Sequence, residues 1–450
     1  MDRNRILDEV KSYNEKGFSR FHMPGHKGNC HELSRLVRLE NDLTEVTGLD
    51  SLFEASGCIL ETEKEIARLY GAKRSLISAE GSSQAIKTML SLALKEGETV
   101  IMSRNAHGSA INALALLGIK AFWIYPEGED KNGLSGVYGE KSVRDALESC
   151  PYARAVYITS PNYFGLVSDI EGIARACKER GIPLLVDNAH GASLILEKEN
   201  LHPINLGATM TADSFHKTLP SLTGSAVLHI ADEKYISSAK EKMTVFSSTS
   251  PSYLIMESMD YAVSYLKGDA KKHYLETAEK ISGLKKIAKN SGFRISEGKG
   301  DSQRLNLILE SSNYSSESFL DYLHSFKLEP ELVCDYGACF MASEFNSKED
   351  FARLRAMLEN CNIKYIEGEQ APPSLDEKTL REAVSLMTVR EAFFLDKEEL
   401  LAEEAVGRIC GQFVCPCPPG IPLAIPGEKI TENLMKLFLI YGIKRVNVVK

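Results

Sequence analysis

Lys217 stands in the hydroxyl-rich run TADSFHKTLPSLTGSAVLH with a histidine directly before it, and Asp187 stands thirty residues upstream in LLVDNAHGA. Taken singly, a lysine is most often a solvated surface charge and an aspartate at a strand end a helix cap. Together the two serve one chemistry. A lysine amine forms a Schiff base with a cofactor aldehyde and then returns as proton donor or acceptor. A buried carboxylate keeps the cofactor's pyridine nitrogen protonated, so that the ring accepts carbanion electrons. An Asn at position 187 would forfeit that ion pair. The two residues therefore point to pyridoxal 5'-phosphate.

Such a cofactor needs partners from other loops. Ala189, two residues beyond Asp187, is expected to project toward the same ring face. Gly81, Ser82 and Ser83, in AEGSSQAIK, lie between a strand and a helix start, where N–H groups, hydroxyls and the helix dipole suit a phosphate. Alone this is a weak signal, since Gly-Ser-Ser before a helix is common capping. His107, in SRNAHGS, is placed to stack on the ring, although a lone loop histidine is more often plain surface. Ser214 and His216 flank the lysine within reach of phosphate oxygens. His190 follows the Asp-x-Ala unit, near the expected position of a substrate carboxylate.

The elements that must hold these groups are legible from periodicity. Between about residues 70 and 230, short β-rich runs alternate with amphipathic helical ones. RSLISAE, ETVIMSR and AVYITSP read as strands. SQAIKTMLSLALKEG reads as a helix with Ile86, Leu90, Ala93 and Leu94 on one face. In SDIEGIARACKERGIPLLVDNAHGA, Ser168 and Glu171 form an expected capping box, Ile170, Ile173, Ala174 and Cys177 share a face, and Gly181 ends the helix. IPLLVD is nearly all apolar, as in a strand covered on both faces. Repeated β–α units predict an α/β fold with a mostly parallel central sheet. In such sheets ligands sit beyond the strands' carboxyl ends. After residue 250 one long helical stretch (251–292) leads into RLNLILE, CDYGACFMAS and EDFARLRAML, the texture of a smaller α+β domain. The expected division is an N-terminal arm (1–50), a large cofactor-binding domain (51–270) and a C-terminal small domain (271–450).

Composition bounds the rest. The 450 residues are 43% hydrophobic, enough for a full core, and the net charge of −9 with no basic block argues against nucleic acid. No apolar run approaches the ~20 residues that span a bilayer. The charged start, MDRNRILDEVKSYNEKGFSR, lacks a signal-peptide core, so a cytoplasmic protein is expected. The ten cysteines form no CxxC pair, and CPC at 415–417 has the wrong spacing for a zinc knuckle. They are read as small buried apolar residues, with no metal site.

The segments that carry chemistry also carry a likeness. FHMPGHKGN, DLTEVTGLDSLFEASGCI, YGAKRSLISAEGSSQAI, RNAHGSA, SPNYFGLVSDI, VDNAHGA, DSFHKTLPSLTGSAVLH, STSPSYLIMESMD and CPCPPGIPLAIPGE run nearly end to end. With them the chain resembles the bacterial ornithine/lysine/arginine decarboxylases, in a compact form without the N-terminal wing domain. The resemblance implies the aspartate aminotransferase fold (fold type I) and decarboxylation of a basic amino acid to its amine and CO2, as in polyamine synthesis or acid defence. It makes Lys217 the Schiff-base residue, Asp187 the pyridinium partner and His107 the stacking residue, with Ser82, Ser83, Ser214 and His216 around the phosphate. It also implies that Thr249 and Ser250, in STSPSY, approach the phosphate of a neighbouring subunit, hence a homodimer at least.

Departures concern the pocket. Asn188 and Ser193 replace the usual Glu and His of Asp-Glu-Ala-His-Gly-Ala-His, and Cys417-Pro418-Pro419-Gly420 replaces Tyr-Pro-Pro-Gly. Glu80 stands where Asn is common, and Glu54 where His or Pro is. A basic substrate needs acidic groups at the pocket's far end, and Glu331, Glu54 and Asp335 are candidates among 62 acidic residues. Two rival readings share these residues: an aminotransferase or other lyase, for which Arg381 or Arg390 would grip the carboxylate, and a non-catalytic cofactor-binding homologue.

Overall fold

The computed structural model describes residues 5–126, 136–365, 377–416 and 422–450. A short strand, β1 (Ser19–Phe21), follows the first helix. Seven strands then build one sheet: β2 (Arg74–Ser78), β3 (Thr99–Ser103), β4 (Lys120–Ile124), β5 (Ala155–Thr159), β6 (Leu184–Asp187), β7 (Met210–Ser214) and β8 (Ala226–Ile230). Their order is β2-β8-β7-β6-β5-β3-β4. All run the same way except β8, which pairs antiparallel with β2 and β7. The mostly parallel α/β sheet is as the alternating pattern predicts.

Its strands are apolar because both faces are covered. On one face Val100, Met102, Tyr157, Leu185 and Met210 pack under Ile86, Leu90, Ile111 and Leu114. On the other, Ile101, Val156, Ile158, Leu184 and Val186 meet Val143, Leu147, Ile173 and Cys177. The side chains alternate between the two clusters with period two along each strand.

Two local expectations need correction. The helix Ile170–Glu179 is capped by Asp169, whose carboxylate accepts from the Gly172 N–H, and not by Ser168. Ser168 Oγ instead accepts from the Tyr138 N–H. The stretch 251–292 is two helices, Tyr253–Lys267 and Ala270–Asn290, broken at Gly268. Most described cysteines are buried as expected, but Cys58 is exposed and Cys361 and Cys415 are half-buried. Cys417-Pro418-Pro419-Gly420 lies outside the described residues.

Beyond the large sheet, β9 (Arg294–Ile295), β10 (Arg304–Ile308), β12 (Leu332–Cys334) and β13 (Gly337–Met341) form an antiparallel sheet ordered β12-β13-β10-β9. It is backed by the helices Ala270–Asn290, Ser316–Ser325 and Lys348–Asn360. Strand β1 pairs in parallel with β11 (Leu328–Pro330), which ties the start of the chain to this sheet. The last hairpin-like pair, β14 (Lys397–Leu401) with β15 (Arg445–Val449), has its own apolar core around Leu423, Leu434 and Phe438.

A buried ion pair joins that last unit to the large sheet. Arg104, just past β3, holds Glu428 through two bonds of 2.8 and 3.0 Å, both side chains being 1% exposed. Removing one partner strands the other charge. Arg104→Leu is therefore expected to cost about 3–5 kcal/mol, read from urea unfolding, and more than Arg104→Leu combined with Glu428→Leu.

Candidate active site

The carboxyl ends of β2, β3, β5, β6 and β7 bring distant segments to one edge of the sheet. The chain leaves β7 at Ser214 and turns at once into the short helix Phe215–Thr218. Phe215 is fully buried and roots this turn in the core. Lys217, half-buried, extends from it, and its Nζ lies 3.1 Å from Nε2 of His190. His190 comes from the loop after β6 and is buried. Its other nitrogen, Nδ1, lies 3.3 Å from an Arg304 terminal nitrogen, and its ring packs on Tyr163 at 5.1 Å between centroids.

Asp187 ends β6 and is 2% exposed. The Tyr157 hydroxyl donates to Oδ2 and the Ala189 N–H to Oδ1, each at 3.1 Å. Burial, then the Asp187 charge, push the Tyr157 phenol well above its usual pKa, so it stays a donor. Ala189 lies beyond the strand end, and its backbone, more than its side chain, is tied to the carboxylate.

His107 caps the helix Gly108–Leu117, its Nδ1 accepting from the Ser109 N–H. The residue is exposed. Partial enclosure lowers its pKa; Asp187 opposes that shift and Lys217 adds to it. Gly81, with φ +72°, opens the helix Gly81–Ala93, and a Cβ built there would meet nothing within 4 Å. Ser82 and Ser83 follow in the same first turn. The Ser214 hydroxyl donates to Ser82 Oγ at 2.8 Å, joining the β2 and β7 loops. His216 donates from Nδ1 to the Ser225 carbonyl at 3.1 Å, and burial lowers its pKa. Nine of the sequence-derived groups thus share one edge: Gly81, Ser82, His107, Asp187, Ala189, His190, Ser214, His216 and Lys217.

Thr249 and Ser250 are exposed. Within the chain, Ser250 donates its N–H only to Ser248 Oγ among the described contacts. Of the acidic candidates, Glu331 is half-buried, accepts from the Met23 N–H at 2.8 Å and from the Tyr163 hydroxyl at 2.6 Å. It therefore lies two side chains from Lys217, through Tyr163 and His190. Asp335 is exposed and accepts from the Ser316 N–H at a helix start, and Glu54 is exposed. No described contact joins either to the lysine cluster. Arg390 donates to the Leu116 carbonyl and the Arg381 guanidinium lies over the Tyr125 ring at 4.6 Å.

Several neighbours escaped the sequence reading. Arg304 sat in RLNLILE, where a charged residue opening an apolar strand was the available signal. The arm loop also comes over the lysine turn. The Gly25 N–H donates to the His216 carbonyl at 2.8 Å, and a Cβ at Gly25 would lie 2.8 Å from the Leu219 carbonyl oxygen, so only glycine fits. Lys27 in the same loop is buried and donates to the His22 carbonyl at 2.6 Å. Burial lowers its pKa to about 7, Glu331 opposing and Arg304 adding.

On β7, Asp213 is fully buried between His202, His229 and Asn188, and with the two histidines it forms a group able in composition to hold a metal. His202 Nδ1 accepts from the Ile204 N–H, so its Nε2–H is the donor to Asp213 Oδ2 at 2.7 Å. Asn188 donates to Oδ1 at 2.9 Å. In this arrangement the carboxylate is taken by hydrogen bonds, and it pins the residue next to Asp187.

Residues 6–300 match the family model described as Orn/Lys/Arg decarboxylase, major domain, and residues 378–442 match its C-terminal domain. The chain is 30% identical to a protein named arginine decarboxylase from Halalkalibacterium halodurans, over 92% of this chain and 88% of that one. It is also 30% identical to an arginine decarboxylase from Bacillus subtilis, over 93% and 89%. Among solved structures it is similar to the Escherichia coli constitutive lysine decarboxylase, with TM-score 0.73, 20% identity and coverage of 92% and 75%. A ureidoglycine-glyoxylate aminotransferase from Bacillus subtilis shares the fold at TM-score 0.60 and 13% identity, over 78% of this chain and 95% of that one. With two thirds of its length matched by the major-domain model, this chain belongs to the Orn/Lys/Arg decarboxylase family.

Proposed function

We propose that the protein decarboxylates a basic amino acid with pyridoxal 5'-phosphate, arginine being the first substrate to try because the relatives at 30% identity carry that name. The observation that carries this reading is the meeting of Lys217, Asp187 and His107 at one sheet edge with the Ser82–Ser214 hydroxyl pair. The donor set suits the cofactor. A carboxylate with two donors still has lone pairs for a pyridinium, an exposed imidazole suits stacking, and a helix start with paired hydroxyls suits a phosphate. Gly81, Ser82, Ser83, Ser214 and His216 would hold the phosphate, His107 and Ala189 the ring faces, and Lys217 the aldehyde carbon. When bound, the cofactor supplies the electron sink that takes the pair left by departing CO2.

The chain's own part is orientation and proton handling. His190 would face the substrate's α-carboxylate and help to orient the Cα–carboxylate bond that breaks. Asp187 would hold the proton at the pyridine nitrogen. Lys217, with His190 beside it, returns a proton to the substrate α-carbon. Thr249 and Ser250, exposed here, would complete the phosphate site of a second copy, which makes a homodimer the smallest active unit. No described helix is long and apolar enough to cross a membrane. We place the protein in the cytoplasm, and keep the division into arm (1–50), large domain (51–270) and small domain (271–450), for which limited proteolysis is the test.

The deciding experiment incubates protein and cofactor with arginine, lysine and ornithine and identifies the products. Amine with equimolar CO2 is expected. Keto acid without CO2 would establish a transaminase instead, and cofactor binding with no turnover a non-catalytic homologue. Glu331 is the candidate for the substrate's cationic end, with Glu54 and Asp335 as weaker ones. Glu331→Gln is expected to raise KM about 10–100-fold, the worth of one hydrogen bond to a charge, while kcat changes little. An unchanged KM would remove Glu331 from the substrate site.

A further inference from the structure

We propose that Arg304 is a positioning residue: through His190 it holds Lys217 as an unprotonated amine. The inference rests on the role given to Lys217 above. A guanidinium only donates hydrogen bonds. With an Arg304 terminal nitrogen 3.3 Å from His190 Nδ1, that ring nitrogen must present a lone pair. The single proton of the neutral imidazole then sits on Nε2, which faces Lys217 Nζ at 3.1 Å. An ammonium has no lone pair, so two donors would confront each other there. The contact is satisfied only if Lys217 accepts, and an unprotonated amine is the form able to add to an aldehyde carbon.

Arg304 cannot turn away to permit the other tautomer. It is 1% exposed, its Nε donates to Asp301 Oδ2 at 3.1 Å, and a terminal nitrogen donates to the Tyr163 carbonyl at 2.8 Å. Asp301 is itself fixed by the Gln303 N–H and the Tyr274 hydroxyl, each at 3.0 Å. Doubly protonated His190 is disfavoured as well, because burial, with the permanent Arg304 charge adding to it, pushes its pKa well down. The charged and titratable groups around the pair come from every neighbouring element. They are His107 after β3, Tyr163 after β5, Asp187 on β6 and His216 on the lysine's own turn. Lys27 of the arm and Glu331 of the small sheet act on Arg304 from further out.

Two measurements on the full chain freed of cofactor test this. Nitrogen-15 spectra of the imidazoles report the His190 tautomer. Reductive methylation with formaldehyde and borohydride, followed peptide by peptide across pH, reports the midpoint at which Lys217 becomes a free amine. The unaltered protein should show His190 with its proton on Nε2. Arg304→Met should move that proton to Nδ1 and raise the Lys217 midpoint by about one pH unit or more, a tenfold change in free amine at fixed pH. Arg304→Lys keeps the charge but is too short for Nδ1 and should behave like Arg304→Met. In a His190→Phe background the Arg304 substitution should shift nothing.

An Nδ1–H tautomer in the unaltered protein overturns the proposal. So does an Arg304→Met shift that is the same with and without His190, or an Arg304→Lys variant that matches the unaltered protein. If the Arg304 variants fail to fold, the tautomer of the unaltered protein decides alone. Failure of Lys217 to form an adduct with pyridoxal phosphate would defeat the functional reading while leaving the tautomer result intact, so the two failures are separable.

Discussion

Lys217→Ala is expected to abolish adduct formation with pyridoxal phosphate and to lower CO2 release by at least about a thousandfold, while the fold survives. On the proposed reading the lost amine is both the attachment point and the proton carrier, and each role alone is worth about two to four orders of magnitude. The fold survives because Lys217 is half-buried at the rim and its contact with His190 is one hydrogen bond, worth about 0.5–1.5 kcal/mol net. The turn itself is held by Phe215 and by the Phe215 N–H to Ser225 carbonyl bond, which the substitution leaves alone. Absorbance of the cofactor adduct, amine detection and a thermal melt measured together separate these effects. Added methylamine should restore part of the activity by supplying the missing base. A variant that keeps its adduct band would show that another lysine is used.

Asp187→Asn is expected to lower kcat about 10²–10³-fold, the usual cost of removing one preorganised electrostatic partner from developing charge. The exchange keeps the shape of the side chain and one acceptor for the Tyr157 hydroxyl or the Ala189 N–H. What disappears is the negative charge opposite the ring nitrogen, so cofactor binding should weaken far less than turnover. A cofactor methylated at that nitrogen carries its positive charge permanently and should recover much of the loss in the variant, though not in the unaltered enzyme. If the methylated cofactor gave no recovery, Asp187 would have to act on something other than the ring nitrogen.

The large sheet and most of the candidate site were legible because each signal was local. Strands such as LLVD are nearly all apolar because both faces are buried, and Asp187 and Lys217 follow directly on strand ends. The missed groups depend on contacts that no short window records. Arg304 reaches His190 across 114 residues, and Met23 reaches Glu331 across 308. Asp169 was overlooked as a cap because Ser168 and Glu171 form an equally good capping pattern one residue away, and only the bond of Ser168 to the Tyr138 N–H removes it from contention. The break at Gly268 was hidden because polar and apolar residues keep helical spacing on both sides of it. Asp335 and Glu54 show the opposite failure. Carboxylates are plentiful, and a sequence does not say which are spent on helix ends or on water.

The loop from Met23 to Lys27 touches three parts of the molecule at once. It meets Glu331 through Met23, the Ser343 hydroxyl through the Gly25 carbonyl, and the lysine turn through the Gly25 N–H. This stretch is a tether between the turn that carries Lys217 and the four-stranded sheet. Any rocking of that sheet which stretches the Ser343 link also tugs the His216 peptide, one bond away from the lysine. Trimming the first thirty residues would therefore slacken the nucleophile before it disturbed the seven-stranded scaffold beneath it.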